Sequence, residues 1–474
     1  MKKHLLIASV FLMGTLISQA QWQPDVRLTN DPSVSQALTN RGVAAIGDVV
    51  HVVWRDFREV RHSEIYYKRS TDGGVSWGSD IRLTFKSQII INGGIYQESF
   101  FPTVAVSGSV VHVVWHDERD GNYEIYYKRS LDGGTNWESD VRLTNASASS
   151  DAASIAVSGS NVYVVWEDER DRNYQIYYKL SADRGASWGE ETPLTKTYAQ
   201  SENPCVSASG SDVHVVWQDN RHGNYEMYYK RSTDGGLSWA ADARLTTGSS
   251  YSYLPSVSVS GSTINVVWED IRDGRYENIY HKRSTDAGLS WDKDTLLTSP
   301  TADAHHASVS VSGALAYVVW FDNRDGNYEI YYKRSTDGGA NWGADTRLTN
   351  NFGGSQYPSV ALSGMAVHVI WQEQNEIYYK RNPTGTVVGI KDLQSAGSQF
   401  TVFPNPASTE IKVKSLENIN ELTITDIYGK EIYHSGILSS SPEIRIPVSD
   451  FPAGIYFIKI KNGNRINIQK FIKL

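Results

Sequence analysis

Residues 21–383 read as short apolar runs cut by polar turns, and the pattern returns about every 51 residues. One unit contains TVAV (103–106), VVHVVW (110–115), EIYYKR (124–129) and DVRL (140–143), bounded by Gly, Asp, Asn or Ser. Runs this short, rich in β-branched and aromatic residues, predict strands. The second is apolar nearly throughout, as for a strand covered on both faces, whereas the third alternates charged and apolar residues. No segment of the array carries the period of a helix. Four strands per unit, repeated seven times, predict a β-propeller.

Tryptophan fixes the register of the units. Trp77, Trp137, Trp188, Trp239, Trp291 and Trp342 advance by 60, 51, 51, 52 and 51 residues. A second series, Trp54, Trp115, Trp166, Trp217, Trp268, Trp320 and Trp371, ends each apolar run, and with Trp22 the two account for all 14 tryptophans. The N-terminal WQPDVRLT (22–29) matches WESDVRLT (137–144), so the chain starts on a fourth strand with no preceding three. It ends the array on VHVIW (367–371) and EIYYKR (376–381), a second and third strand with no fourth. The two ends predict one shared blade: a seven-bladed ring of four-stranded blades closed by the N-terminal strand, with no open sheet edge between the termini.

Ahead of each tryptophan of the first series stands Ser-x-Asp-x-Gly-x-x-Trp. Asp accepts backbone N–H groups within its own turn, Gly supplies a positive φ, and the indole covers the strands. These six copies resemble the Asp-box, the bacterial neuraminidase repeat of sialidases and related propellers, over residues 21–383. The resemblance implies a propeller whose Asp-boxes lie on the face away from a sialidase's active site. Asp72, Asp132, Asp183, Asp234, Asp286 and Asp337 are therefore expected to be structural.

Function is expected on the opposite face. There DERDGNY (117–123) follows the second strand, its Asp and Arg echoed at Asp56/Arg58, Asp168/Arg170, Asp219/Arg221, Asp270/Arg272 and Asp322/Arg324, and lost in QEQN (372–375). The plainest account pairs each Asp with an Arg. The alternatives are a ring of Arg58, Arg119, Arg170, Arg221, Arg272 and Arg324 that binds sugars, or calcium held by the loop oxygens, which the arginine inside the loop disfavours. No metal or other cofactor is expected. Sialidases, as the resemblance implies, clamp a carboxylate with three arginines and use a Tyr–Glu pair and an Asp. One substrate pose needs different residues from different blades, whereas these units are nearly identical, and the Arg-Ile-Pro motif is missing where Asn40-Arg41-Gly42 stands. No catalytic residue is assigned. The repeat breaks between Trp77 and Trp115, 38 residues apart against 29 in later units, so the loop 85–102 carries nine extra residues. Its Tyr96 and Glu98 are candidate ligand-binding groups, a phenol and a carboxyl suited to sugar contact or glycoside chemistry. Other unrepeated polar groups are Arg41, Asp151, Glu202, Asp303, His305 and His306.

Charge narrows the partners. Residues 21–398 carry 34 basic against 46 acidic side chains, which argues against nucleic acid. The single cysteine, Cys205, excludes an intrachain disulfide and a cysteine zinc site. Residues 1–20 have the form of a signal peptide, with Lys2 and Lys3, an apolar stretch at 5–17 and a small-residue end. No later apolar run approaches the roughly 20 residues that span a bilayer. Past a linker at 384–398, tryptophan vanishes and EIKV (410–413), ELTI (421–424), EIRI (443–446) and IYFIKI (455–460) predict a small β-sandwich over 399–474. FPNPA (403–407), DIYG (426–429), AGIYF (453–457) and KFIK (470–473) resemble the type A sorting domain of the Bacteroidetes type IX secretion system. That resemblance implies passage through the type IX machinery, followed by cleavage or surface anchoring. The whole predicts an all-β, monomeric, secreted or cell-surface sialidase-like propeller that binds a carbohydrate or glycoprotein ligand. An exo-acting glycoside hydrolase and a protein-interaction scaffold are the alternatives.

Overall fold

The computed structural model describes residues 22–37, 41–58, 62–85, 98–299, 301–384, 400–415, 421–426, 431–436, 443–462 and 465–473. The expected signal peptide, nearly all of the linker, and Tyr96 lie outside them. Every strand in these segments pairs antiparallel with its neighbours, and no described residue is helical. Among the described residues no helix is long and apolar enough to cross a membrane.

Within residues 22–384 the strands form seven sheets. In one of them Ser150–Ser158, Asn161–Asp168, Gln175–Ser181 and Thr192–Pro193 lie side by side in chain order. The last sheet takes its fourth strand from the N-terminus: Val26–Arg27 pairs with Glu376–Asn382, Val26 opposite Tyr379 and Arg27 opposite Tyr378. The first sheet has two short pieces, Ser35–Gln36 and Val43–Ile46, where the others have one long first strand. The first strands of successive sheets adjoin, and Ser355–Ser363 of the last sheet meets Val43–Ile46 of the first.

The apolar second strands explain this packing. Val110–Asp117 is buried along its whole length, and one face of each sheet interlocks with the opposite face of the next. Val114, Ile125 and Tyr127 of one sheet share a core with Ile155, Val162, Val164 and Trp166 of its neighbour. All seven second-series tryptophans are fully buried, and a buried aromatic side chain is the largest apolar contribution a strand can make.

A device at the start of each long first strand shapes the centre. The pairing slips by a bulge between Asp151 and Ser154, and the same slip recurs in the other five. The extra residue has a positive φ: Phe101, Ala152, Asn203, Leu254, His306 and Tyr357, at 47° to 54°. Bulges re-aim side chains, and five of these six residues line one central cavity.

The C-terminal unit consists of a three-stranded and a four-stranded sheet. Val402, Ile411, Val413, Leu422, Ile424, Ile458, Ile460 and Phe471 share one buried cluster among its described residues.

Candidate ligand-binding site

The two ends of each sheet are built differently. At the Asp-box end, Ser130 Oγ donates to Asp132 Oδ1 at 2.8 Å and accepts the Gly134 N–H at 2.8 Å. Asp132 also takes the Thr135 and Asn136 N–H groups at 3.0 and 2.8 Å and Asn136 Nδ2 at 2.6 Å. These bonds, from Asn136 first and then Ser130, hold its carboxyl well below the usual carboxylate range. Gly134 has φ +85°, and a Cβ there would lie 1.9 Å from the hydroxyl of Tyr67 on the preceding blade. Trp137 packs edge-on against the same Tyr67, centroids 4.9 Å apart. The joint recurs around the array, with Trp77 of the first sheet on Tyr379 of the last at 4.8 Å and Trp22, beside the N-terminal strand of the last sheet, on Tyr332 of the sheet before it at 5.2 Å. Asp72, Asp183, Asp234, Asp286 and Asp337 sit in the same turns, at the end of the sheets opposite the bulges.

At the other end, the Asp and Arg of DERDGNY clamp their own blade. Asp117, fully buried, accepts Trp115 Nε1 at 3.0 Å, Ser99 Oγ at 2.8 Å, and the backbone N–H, Nε and Nη2 of Arg119 at 3.0, 3.0 and 2.8 Å. Arg119 Nη1 reaches Asp140 beside the fourth strand at 2.8 Å. Burial pulls the Arg119 guanidinium down, but Asp117 and then Asp140 outweigh it and hold the group above its ordinary range. Arg58, Arg170, Arg221, Arg272 and Arg324 each bridge the equivalent two acids. All six guanidinium groups lie 4.2–4.5 Å over a tyrosine ring of their own blade. In the calcium-like loop, Asp120 accepts the Tyr126 hydroxyl and pairs with Arg142, and Asn122 donates to the Ala146 and Ala148 carbonyls.

Asymmetry appears one residue before the clamp. The residue between each buried Trp and its Asp, or Glu373 in the last blade, is Arg55, His116, Glu167, Gln218, Glu269, Phe321 or Gln372; in the six sheets with a bulge it pairs across the sheet with the residue before the bulge, and Arg55 pairs with Gln36. Glu167 accepts the Asn203 N–H at 2.6 Å, Gln218 the Leu254 N–H at 3.1 Å and Glu269 the His306 N–H at 2.6 Å, each from the bulge of the next blade. These side chains satisfy backbone donors that the bulge takes out of the ladder.

Inside this ring lies a cavity of about 480 Å³, walled by Phe101, His116, Tyr123, Asp151, Glu167, Asn203, Leu254 and His306, with Arg41 among them. Arg41 spans the centre, donating to the carbonyls of Ile155 at 3.4 Å and Val257 at 2.5 Å, two and four blades away. Tyr123 and His116 form an aromatic wall, centroids 5.0 Å apart. Glu167 hydrogen-bonds to Asp151; burial first, and then Asp151, pushes the Glu167 carboxyl well above its ordinary value of 4.5. Burial raises the Asp151 carboxyl as well, so the two carboxyls share a proton that Glu167 is favoured to carry.

Of the residues singled out by the broken repeat, Arg41, Asp151 and His306 meet in this cavity. Glu202 borders it through Gln218, whose Nε2 donates to it at 3.0 Å. Glu98 pairs with Arg55, which stacks 3.7 Å over Phe100 and falls to about 10, chiefly through burial. His305 lies behind the wall, Nδ1 at 3.2 Å from Glu269 and 2.6 Å from Glu277, the one trio among the described residues whose ligand-type atoms gather within 4.8 Å. Burial opposes protonation of His305, but Glu269 and then Glu277 outweigh it and raise the imidazole above its ordinary value.

The shared proton makes one prediction. Glu167 costs stability as pH rises past 4.5, because the unfolded chain then ionises more readily than the folded one. Glu167→Gln keeps an acceptor for the Asn203 N–H and donates to Asp151, so it should raise the thermal midpoint at pH 7, with the gain fading towards pH 4. Calorimetry across that range checks it.

The BNR repeat-like domain family matches residues 9–266 and the secretion system C-terminal sorting domain matches residues 401–474. No curated protein matches the chain. Among solved structures, an ulvan lyase of polysaccharide lyase family PL25, bound to -[GlcA(1-4)Rha3S]-, is 12% identical, covers 75% of this chain and 95% of its own, and has a TM-score of 0.54. The polysaccharide lyase Uly1 is 9% identical, with 77% and 99% coverage and a TM-score of 0.53. A Trypanosoma rangeli sialidase bound to the inhibitor DANA is 12% identical, with 80% and 86% coverage and a TM-score of 0.47. The lyases bear on fold alone. With its family match spanning more than half its length, the chain belongs to the BNR repeat-like family, and it ends in a sorting domain for type IX secretion to the cell surface or extracellular space.

Proposed function

We propose that residues 21–383 close as a seven-bladed propeller, joined by the linker 384–398 to a sorting β-sandwich over 399–474, and that the exported protein binds carbohydrate at its central cavity. The cyclic contacts of the first strands and the N-terminal fourth strand support the ring. One observation carries the functional reading: a recess of about 480 Å³ combines the aromatic wall of Phe101, Tyr123 and His116 with Arg41, Asp151 and Asn203. Aromatic faces take the C–H surface of a sugar, and a few fixed polar groups orient its hydroxyls. Such a site sits in one place because the ring residues differ from blade to blade. The lyase of similar fold carries a sugar polymer, in keeping with this reading. An array of neutral, uronate-containing and sulfated glycans should give saturable binding to the full chain; signals at background for every glycan would end the proposal.

A glycoside hydrolase is the second reading, favoured by a carboxyl in the cavity wall, Glu167, that burial raises above its ordinary range. It ranks second because Asp151 is in direct hydrogen bond with Glu167, whereas acid and nucleophile or base stand roughly 5–9 Å apart in glycosidases. Turnover of fluorogenic sialosides or other glycosides that is lost in Glu167→Gln would promote it. Inertness of the wild-type chain across the panel would remove it.

A further inference from the structure

We infer that the mouth carries a second sugar subsite, about 320 Å³ in volume, where the last two blades meet, and that it takes an uncharged residue of the same glycan chain that fills the central cavity. This rests on the reading of the cavity as a glycan site. Asn323, Asn327, Tyr328, Phe352 and Gln356 line the recess, and its remaining lining is glycine. Phe352 stands fully in solvent at 107% relative exposure. Its ring lines the recess and is open to a ligand that enters it. Beside it, the Tyr328 hydroxyl, Asn323 Nδ2 and the Gln356 amide have no hydrogen-bond partner among the described residues. Asn327 is held by Glu329 at 3.0 Å and the Asn351 carbonyl at 2.7 Å, which fixes that edge of the recess. Among the described residues no carboxylate and no basic side chain lines it. The ligand class that fits is a neutral pyranose, its apolar face on Phe352 and its hydroxyls on the amides and phenol.

The two cavities are connected by rings. His306, in the wall of the central cavity, stacks on Phe321 with centroids 5.6 Å apart and planes at 13°. Phe321 meets Tyr328 edge-on at 5.0 Å and 87°, and Tyr328 lines the second recess. Two ring steps thus separate the subsites, so one oligosaccharide spans both. The ligand is therefore an oligo- or polysaccharide rather than a single terminal sugar. Tyr198, as exposed at 108%, stands on another inter-blade loop and in neither cavity wall.

Affinities of the full chain are measured for the array glycans from monosaccharides to octasaccharides. Affinity should rise about tenfold once the chain is long enough to reach Phe352. Phe352→Ala should remove that gain while leaving the shortest binding glycans unaffected, and Tyr198→Ala should change neither. Affinity independent of length, or a length gain that survives Phe352→Ala, overturns the second subsite and leaves the central cavity standing. Absence of binding at every length overturns both.

Discussion

Asp117→Ala should cost about 3–5 kcal/mol of folding stability, the range for removing one partner of a buried charged pair. Its carboxylate is the common acceptor for a buried indole N–H, a buried serine hydroxyl and three donors of Arg119, and alanine strands them together. Asp117→Asn should lose less, since one acceptor oxygen remains. Denaturant unfolding checks both. Asp132→Ala, at the solvent-facing Asp-box, should cost clearly less than Asp117→Ala, because water replaces the lost bonds. Comparable losses at the two positions would contradict the division of labour between the sheet ends.

The second large effect is acid lability. His51, His112, His214 and His368 are buried and hydrogen-bonded to Tyr67, Tyr127, Tyr229 and Tyr379 at 2.7–2.8 Å, and His281 to Asn265 at 2.8 Å. Burial first, and then a nearby arginine, lowers them from 6.5 to about 4 for His51, His214 and His368 and about 3 for His112 and His281. The folded chain binds fewer protons than the unfolded chain between those values. Their stabilising contribution is therefore complete above pH 6.5 and is lost as pH falls towards 4 and 3, on the order of 3 kcal/mol per imidazole at the acid end. Glu167 acts with the opposite sign, and Asp234, Asp286 and Asp337, lowered to about 2 by their turn hydrogen bonds, add to the loss only at lower pH. The thermal midpoint should fall steeply from pH 6.5 to 4. The double variant His112→Tyr/His214→Tyr, which copies the tyrosine at the equivalent position Tyr163, should flatten that slope, and an unchanged slope would refute the assignment to these imidazoles.

Much of the architecture is legible in the sequence because it is repeated. The all-β sheets, the antiparallel four-strand order and the Asp-box turns all follow from runs that recur with the same letters. The arginines illustrate the limit of that logic. Their recurrence at Arg58, Arg119, Arg170, Arg221, Arg272 and Arg324 places them on the cavity side, but only the structure gives each its two carboxylates and its tyrosine ring. Arg41, Asp151 and His306 stand out as departures from the repeat, and they meet in the cavity. His116 and Glu167 are harder to see. They fall in a frame where Trp and Asp recur and the letter between them changes from blade to blade. Alternation along a strand that ends at the mouth turns that letter towards the bulge, which no spacing along the chain displays. Phe352 and Tyr328 are less legible still, since they come together across an inter-blade loop.

The most direct test fills the cavity without disturbing its frame. Ala152 occupies the bulge position that Tyr357 and Phe101 occupy in other blades with the same positive φ, so the backbone accepts an aromatic residue there. Isothermal titration of Ala152→Tyr with the tightest glycan of the array, alongside its thermal midpoint, should show binding lost and stability retained. Wild-type affinity in a stably folded Ala152→Tyr would contradict a central glycan site.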